Sequence, residues 1–421
     1  MTHYTTLSSN LKRGILTFSE RISKGLSRPE FKFVSQMIYG LLCSQSCHLS
    51  KISRALNESI LLKKTIDRLS RNLATFTKLD MLLNRYVSQI KRNFSSRAIL
   101  IIDDGDITKP CSTKMEGLRI VHDGSTGTNR PGYHMLDVTA LTPEHKAPIG
   151  IYTRVYSAGE PGFVSATEET MKALRFLRTH FNRNNVRAFD RGFDANIFIE
   201  DLIKHKEKFV IRIRSDRNVI YKGETTKAVK LAERFKGKYV LRYKKRNRKQ
   251  VDCKISIVPI RMCFLPDVEL NLVICHGLGQ EPMILLTNLK SDDDRIAVTV
   301  TKVYLLRWRI EEFHGFKKQQ FGFEDFRVRS LNAIRTLDLL LTIAIGYIGL
   351  LSEKSDDRLI AMELIHISKR IYAVPRFRFY AIADGIYSVL SKGRSGIAHL
   401  LKKKRRDGQL CLFPEQFLST A

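Results

Sequence analysis

Residues 300–327 read VTKVYLLRWRIEEFHGFKKQQFGFEDFR. The spacing of their apolar positions predicts one helix running through the segment. At about 100° per residue, Tyr304, Arg307, Glu311 and Lys318 fall within an arc of about 60°. That face carries a phenol, two cations and a single carboxylate. Val303, Leu306, Ile310 and Phe313 repeat the i, i+3, i+7, i+10 spacing on a neighbouring face, which gives the helix an apolar side to bury. Glu312 lies about 100° from Glu311 and points elsewhere. At about 1.5 Å per residue, Tyr304 to Lys318 covers roughly 21 Å, enough to follow several phosphates of a nucleic-acid backbone. A lone carboxylate between phosphate-binding cations suggests a metal ligand delivered to a scissile phosphate. The plainer reading is a solvated face with i, i+4 charge pairs.

Two further acids stand in comparable positions upstream. AILIIDDGDITKP (98–110) contains a continuous apolar run, ILII, of the kind a central buried strand shows, and the run stops at Asp103, Asp104 and Asp106. A carboxylate at the carboxyl end of a central strand is where active sites of open α/β sheets lie. NVRAFDRGFDANIFIEDLIKH (185–205) repeats the arrangement: a short strand, Val186 to Phe189, stops at Asp190, and a Gly turn leads into a helix from about Ala195 to Lys204. Each such Asp alone reads as a turn former. Brought together, Asp103, Asp190 and Glu311 would repel one another, and divalent cations would remove that penalty. Oxygen ligands without a His or Cys cluster favour Mg²⁺ or Mn²⁺, and two such ions suit in-line phosphoryl transfer.

The remaining chain divides by texture. The segment 1–95 is predicted to be a helical bundle of helix-turn-helix type, with Lys51, Arg54, Lys63, Lys64, Arg68 and Arg71 as candidate phosphate contacts. Residues 96–213 form the first part of an α/β core. The stretch 214–282 is strand-rich and basic, an inserted β subdomain facing nucleic acid. Residues 283–351 return to the core through the strand MILLTNL and an acidic turn, SDDDR, before the segment quoted above. Residues 352–421 are helical and basic, with KKKRR at Lys402 to Arg406. The 421 residues carry 72 Lys and Arg against 42 Asp and Glu, a formal charge of +30 spread along the whole length, so a polyanion is the natural partner. Leu337 to Leu351 is apolar but begins with Asp338 close to its start and is shorter than a membrane span, so a buried helix is expected and no membrane partner. Seven cysteines without C-x-x-C pairs read as reduced thiols, and no export signal opens the chain; a cytoplasmic, nucleoid-associated protein is expected.

DRGF at Asp190–Phe193 and the run Y-x2-R-x3-E-x6-K at Tyr304, Arg307, Glu311 and Lys318, embedded in RWRIEEFH, resemble bacterial insertion-sequence DDE transposases of the group with a β-strand insertion between the second Asp and the Glu. The resemblance covers about Ile99 to Leu351. It implies a ribonuclease-H-like core, excision through a hairpin and joining to target DNA. Asp103, Asp190 and Glu311 would then be the catalytic acids and metal ligands for Mg²⁺ or Mn²⁺. Tyr304, Arg307 and Lys318 would hold phosphates near the cleaved end; Arg191, and Lys51 and Arg54 of the N-terminal helices, are further candidate DNA contacts. Double-stranded transposon ends and target DNA would be the partners, held by a homodimer on DNA. The first acid of such proteins usually opens D-x-T or D-x-S; within the stretch DDGDIT that pattern is met literally at Asp106, which therefore rivals Asp103. The aromatic that traps a flipped base in relatives is often Trp; the only Trp here is Trp308, inside the signature, leaving Tyr221, Tyr239 or Tyr243 as substitutes. A hydrolysis-only nuclease on the same fold and a catalytically silent DNA-binding repressor are the competing functions.

Overall fold

The run Ile99–Ile102 is apolar at every position because the strand it forms is covered on both sides. Ile99 and Ile101 enter one core cluster, Leu100 and Ile102 the other. In the computed structural model of this chain, the described residues are 2–94, 97–124, 126–142, 147–244, 250–290, 295–353, 358–370, 377–393 and 396–401. The KKKRR run and most of the SDDDR turn lie outside them.

Five helices come first: α1 (Thr2–Ile22), α2 (Arg28–Ser44), α3 (Leu49–Leu56), α4 (Leu62–Thr75) and α5 (Leu79–Ile90). Pro29 sits in the first turn of α2, where its missing N–H costs nothing, and the Glu30 carboxylate accepts the Ser27 N–H ahead of it. Strands β1 (Ile99–Thr108), β2 (Arg119–Asp123), β3 (Thr128–Leu141) and β4 (Ile149–Tyr156) follow, then α6 (Ala166–His180), β5 (Val186–Phe189), α7 (Asn196–Lys204) and β6 (Phe209–Arg212). β4, β3 and β1 pair antiparallel in that order, and β5 and β6 continue the sheet parallel to β1.

The segment 214–282 holds β7 (Asn218–Tyr221), β8 (Glu224–Lys227), α8 (Ala228–Arg234), β9 (Tyr239–Lys244), β10 (Gln250–Met262) and β11 (Leu265–His276). Its strands do not form a sheet of their own. β11 pairs with β12 (Met283–Thr287), β12 with β6, and one mixed twelve-stranded sheet results. Residues of β9 are alternately half-buried and exposed, as on a strand with one face covered.

The segment that opened the sequence reading is not a single α-helix, and that expectation is corrected. It comprises α9 (Ile296–Leu306), α10 (Arg309–Gly315) and a π turn at Phe316–Gln320. Between α9 and α10 the bonds tighten to three-residue spacing: Arg307 N–H donates to Tyr304 O, Ile310 N–H to Arg307 O and Glu311 N–H to Trp308 O. The π turn then loosens the helix where Phe316 packs against Phe321, Phe377, Phe379 and Tyr380, with ring centroids 4.8–5.8 Å away.

The last helices among the described residues are α11 (Leu331–Glu353), α12 (Arg358–Ile367) and α13 (Phe379–Leu390). By length and composition α11 is apolar enough to cross a bilayer, yet 94% of its apolar 18-residue window is buried inside the protein. It packs on β4 and on the N-terminal helices, where Gly346 admits the Tyr86 ring; a Cβ at that position would lie 1.9 Å from the Tyr86 hydroxyl, which donates to Gly150 O.

Candidate active site

The pleat brings two of the acids together. On β1, Ile99, Ile101 and Asp103 share one side; on β5, Val186 and Ala188 share the side that Asp190 continues. The parallel register pairs Ile99 with Val186 and Ile101 with Ala188 and ends at Ile102 and Phe189, so Asp103 and Asp190 come next, abreast. β1 itself does not stop at Asp103, as the sequence suggested; it runs on to Thr108 by pairing with β3, and only its parallel partner ends. α9 and α10 lie against this same side, burying Ala297, Val300, Val303 and Ile310 in the cluster that holds Ile99, Ile101 and Ala188. Glu311 and Arg307 are thereby carried to the two aspartates.

Arg307 is the centre of the arrangement. Its guanidinium lies 3.4 Å from Asp103 Oδ2, 3.8 Å from Asp190 Oδ2 and 3.0 Å from Glu311 Oε1. Its side chain is only 8% exposed, so these contacts are largely shielded from water. Tyr304, also buried, donates its hydroxyl to Asp190 Oδ1 at 3.1 Å, and the Arg191 N–H donates to the same oxygen at 2.6 Å. The Asp103 carboxyl is raised to about 6: burial pushes it up, His314 and Arg307 draw it down, and Asp190 and Glu311 add to the rise. Burial and the three carboxylates act oppositely on Arg307, and its pKa ends above the ordinary value.

The other sequence candidates are placed differently. Lys318 does not share the acid cluster. The π turn swings it to Asp106 Oδ2 at 3.5 Å and Glu324 Oε1 at 3.2 Å. Asp106, the rival first acid, lies three residues along β1 from Asp103, about 10 Å at strand rise, and also accepts the Gly124 N–H. Tyr304 and Arg307, read as phosphate contacts, have carboxylate partners here. Arg191, Lys51 and Arg54 are exposed, Lys51 and Arg54 on α3. Arg68 is engaged with Glu58 at 2.7 Å. Trp308 is half exposed at the start of α10, one turn ahead of Glu311.

Three carboxylates gathered on one buried cation form a hard-oxygen donor set whose charge demands a positive partner, and in that respect they fit a divalent metal. Among the described residues no three acidic, His or Cys side chains stand close enough to share one ion as placed. Arg307 holds the position between them.

Sequence reasoning passed over the residues behind this cluster. Asp137 on β3 is the register partner of Asp103, and His314 and Lys317 approach it from α10 and the π turn. Asp137 sat in an apolar strand, MLDVTAL, and a lone acid there signals a buried counter-charge.

Residues 95–346 match a protein family described as the transposase DDE domain. The fold is also similar to a piggyBac transposase determined by cryo-EM as a synaptic complex with hairpin DNA. That likeness has a TM-score of 0.46 and 11% sequence identity, and it covers 97% of this chain and 89% of that one.

Proposed function

We propose, from the premise that this chain belongs to the transposase DDE-domain family, that it is a DNA strand transferase of a bacterial insertion sequence. It would bind the element's terminal inverted repeats, cut there and join the ends to target DNA. The observation that carries this reading is the convergence of Asp103, Asp190 and Glu311 on Arg307, from two parallel strands and a helix lying against the same side of the sheet. The order β4-β3-β1-β5-β6, three antiparallel strands followed by two parallel to the first, supports a ribonuclease-H-like core. Asp103 is favoured over Asp106 as the first acid because it meets Arg307 and is aligned with Asp190.

In this reading Asp103, Asp190 and Glu311 would hold Mg²⁺ or Mn²⁺, two ions at full loading. Such ions, when bound, supply activation of a water or a 3′-hydroxyl and stabilisation of the leaving oxygen. The chain's own residues prepare that chemistry. Tyr304 and the Arg191 N–H orient Asp190 by hydrogen bonds, and packing beside Arg307 leaves the Asp103 side chain only 16% exposed. Arg307 neutralises the three acids as they stand, and its guanidinium would be available to a DNA phosphate once they held metal. Lys51, Arg54 and Arg191 would contact the duplex, and two copies would hold two ends. The site of action would be the cytoplasm, on the nucleoid.

The direct test is a labelled duplex carrying the element's own terminal repeat, incubated with the full chain and Mg²⁺. Nicking at the repeat end that stops on chelation, with joining to a second duplex, is the expected result. Binding without cutting in either Mg²⁺ or Mn²⁺ would instead favour the silent repressor, and cutting without joining the nuclease.

A pH dependence follows from the Asp103 carboxyl. A ligating oxygen must first lose its proton, and this group holds its proton up to about pH 6. Mn²⁺ affinity is therefore expected to be flat above about pH 7 and to fall about tenfold per unit well below 6. Calorimetric titration between pH 5 and 8 checks it; an affinity unchanged down to pH 5 contradicts the assignment of Asp103.

A further inference from the structure

Beside the acid cluster lies a second, buried charged group. Lys317 is fully buried. Its Nζ lies 2.6 Å from Asp338 Oδ1 on α11, 3.1 and 3.2 Å from the two Asp137 oxygens on β3, and 3.4 Å from Thr153 Oγ1 on β4. Thr153 also donates its hydroxyl to Asp338 Oδ2. The rings of Phe313 and Phe323 flank the ammonium at 5.4 and 5.2 Å. Lys317 cannot reach a phosphate from there, although its neighbour Lys318 is partly exposed; the wide π turn sends the two lysines into different surroundings.

The place of this group matters more than its charge. Asp137 is paired with Asp103 across the β3–β1 ladder, so the two carboxylates share a face with Cβ atoms about 5 Å apart. His314 Nε2 lies 3.2 Å from Asp137 Oδ2, and His314 stands one turn beyond Glu311 on the same helix. The helix that carries one acid is thus tied, through Lys317 and His314, to the strand beside the other. Apolar packing alone would let α10 slide along the sheet, because such contacts carry no direction. An ammonium held by three oxygen-bearing side chains on β3, β4 and α11 fixes both its depth and its lateral position. Stability alone is a poor reason for such a group, since well-packed neutral replacements of buried ion networks are often as stable.

We propose that Lys317, held by Asp137 and Asp338, is the positioning residue that holds the Glu311 carboxylate on Arg307, facing Asp103. The inference rests on the metal-dependent reading given above and adds a residue to it that touches neither metal nor DNA.

The test uses the full chain and Mn²⁺, followed by the fluorescence of Trp308, the sole tryptophan, one turn from Glu311. Lys317→Met strands two buried carboxylates and is expected to lower the melting temperature. The triple variant Lys317→Met/Asp137→Asn/Asp338→Asn removes the charges together and is expected to melt near the wild type. Its Mn²⁺ affinity should nevertheless stay about 10- to 100-fold weaker, the usual cost of losing a group that orients ligands, with DNA affinity in EDTA unchanged. Asp338→Asn is the milder probe should the triple variant not fold: it keeps the shape, removes one charge and is expected to weaken Mn²⁺ about 3- to 10-fold. A folded triple variant, or Asp338→Asn, that binds Mn²⁺ as tightly as the wild type would overturn the proposal and leave the metal reading standing. If the wild type itself shows no Mn²⁺ response that Glu311→Gln removes, the metal reading fails and the inference falls with it.

Discussion

Glu311→Ala is expected to abolish strand cleavage while leaving DNA binding intact. The side chain is one of three carboxylates on Arg307, and it is the one delivered by a helix rather than by a sheet strand. Losing a metal ligand forfeits several kcal/mol of transition-state charge stabilisation, which at about 1.36 kcal/mol per decade is on the order of a thousandfold in rate. Binding should survive because its electrostatic part would come from cations on other elements, the proposed contacts Lys51 and Arg54 among them, and deleting a negative charge beside a phosphate would remove a repulsion. Single-turnover cleavage and a gel shift in EDTA, run on the same preparation, separate the two effects. A loss of binding that matches the loss of cleavage would show Glu311 to be a structural support of the DNA face. Cleavage within tenfold of wild type would remove Glu311 from the chemistry.

The parts of this site legible in the sequence were those fixed by period and by chain-local pattern. ILII followed by Asp, and VRAF followed by Asp, put two acids on the same side of two neighbouring strands because side chains alternate every residue. Tyr304, Arg307 and Glu311 were placed on one face by helical spacing, and they do converge on the same region. Lys318 leaves the face that an unbroken α-helix would give it, because the π turn at Phe316–Gln320 intervenes. The π turn depends on Phe316 fitting among Phe377, Phe379 and Tyr380, more than fifty residues later, which no local window reports. The partners of Asp137 were hidden for the same reason: Lys317 and Asp338 lie about 180 and 200 residues away in the chain. The joining of 214–282 to the central sheet was equally non-local, being set by the β11–β12 and β12–β6 ladders.

Arg307→Met separates the roles of counter-ion and metal more sharply than any acid variant. Methionine keeps most of the buried stem but leaves Asp103, Asp190 and Glu311 facing one another without a cation. Removing one partner of a buried ion pair costs roughly 3–5 kcal/mol; Asp190 and Glu311 are each 38% exposed, and solvent screening brings the expectation to the lower end, about 3 kcal/mol. In EDTA the variant should therefore melt several degrees below the wild type. Mn²⁺ should then raise its melting temperature by more than it raises that of the wild type, because no guanidinium has to be displaced before the ion binds, and stabilisation grows with the ratio of free metal to Kd. Thermal melts of both proteins across a Mn²⁺ series measure this difference. A variant as stable as the wild type in EDTA would mean that the carboxylates do not depend on Arg307 for neutralisation. A variant that melts low and gains nothing from Mn²⁺ would mean that the three acids do not take up a divalent ion, and the strand-transfer chemistry proposed for this chain would lose its centre.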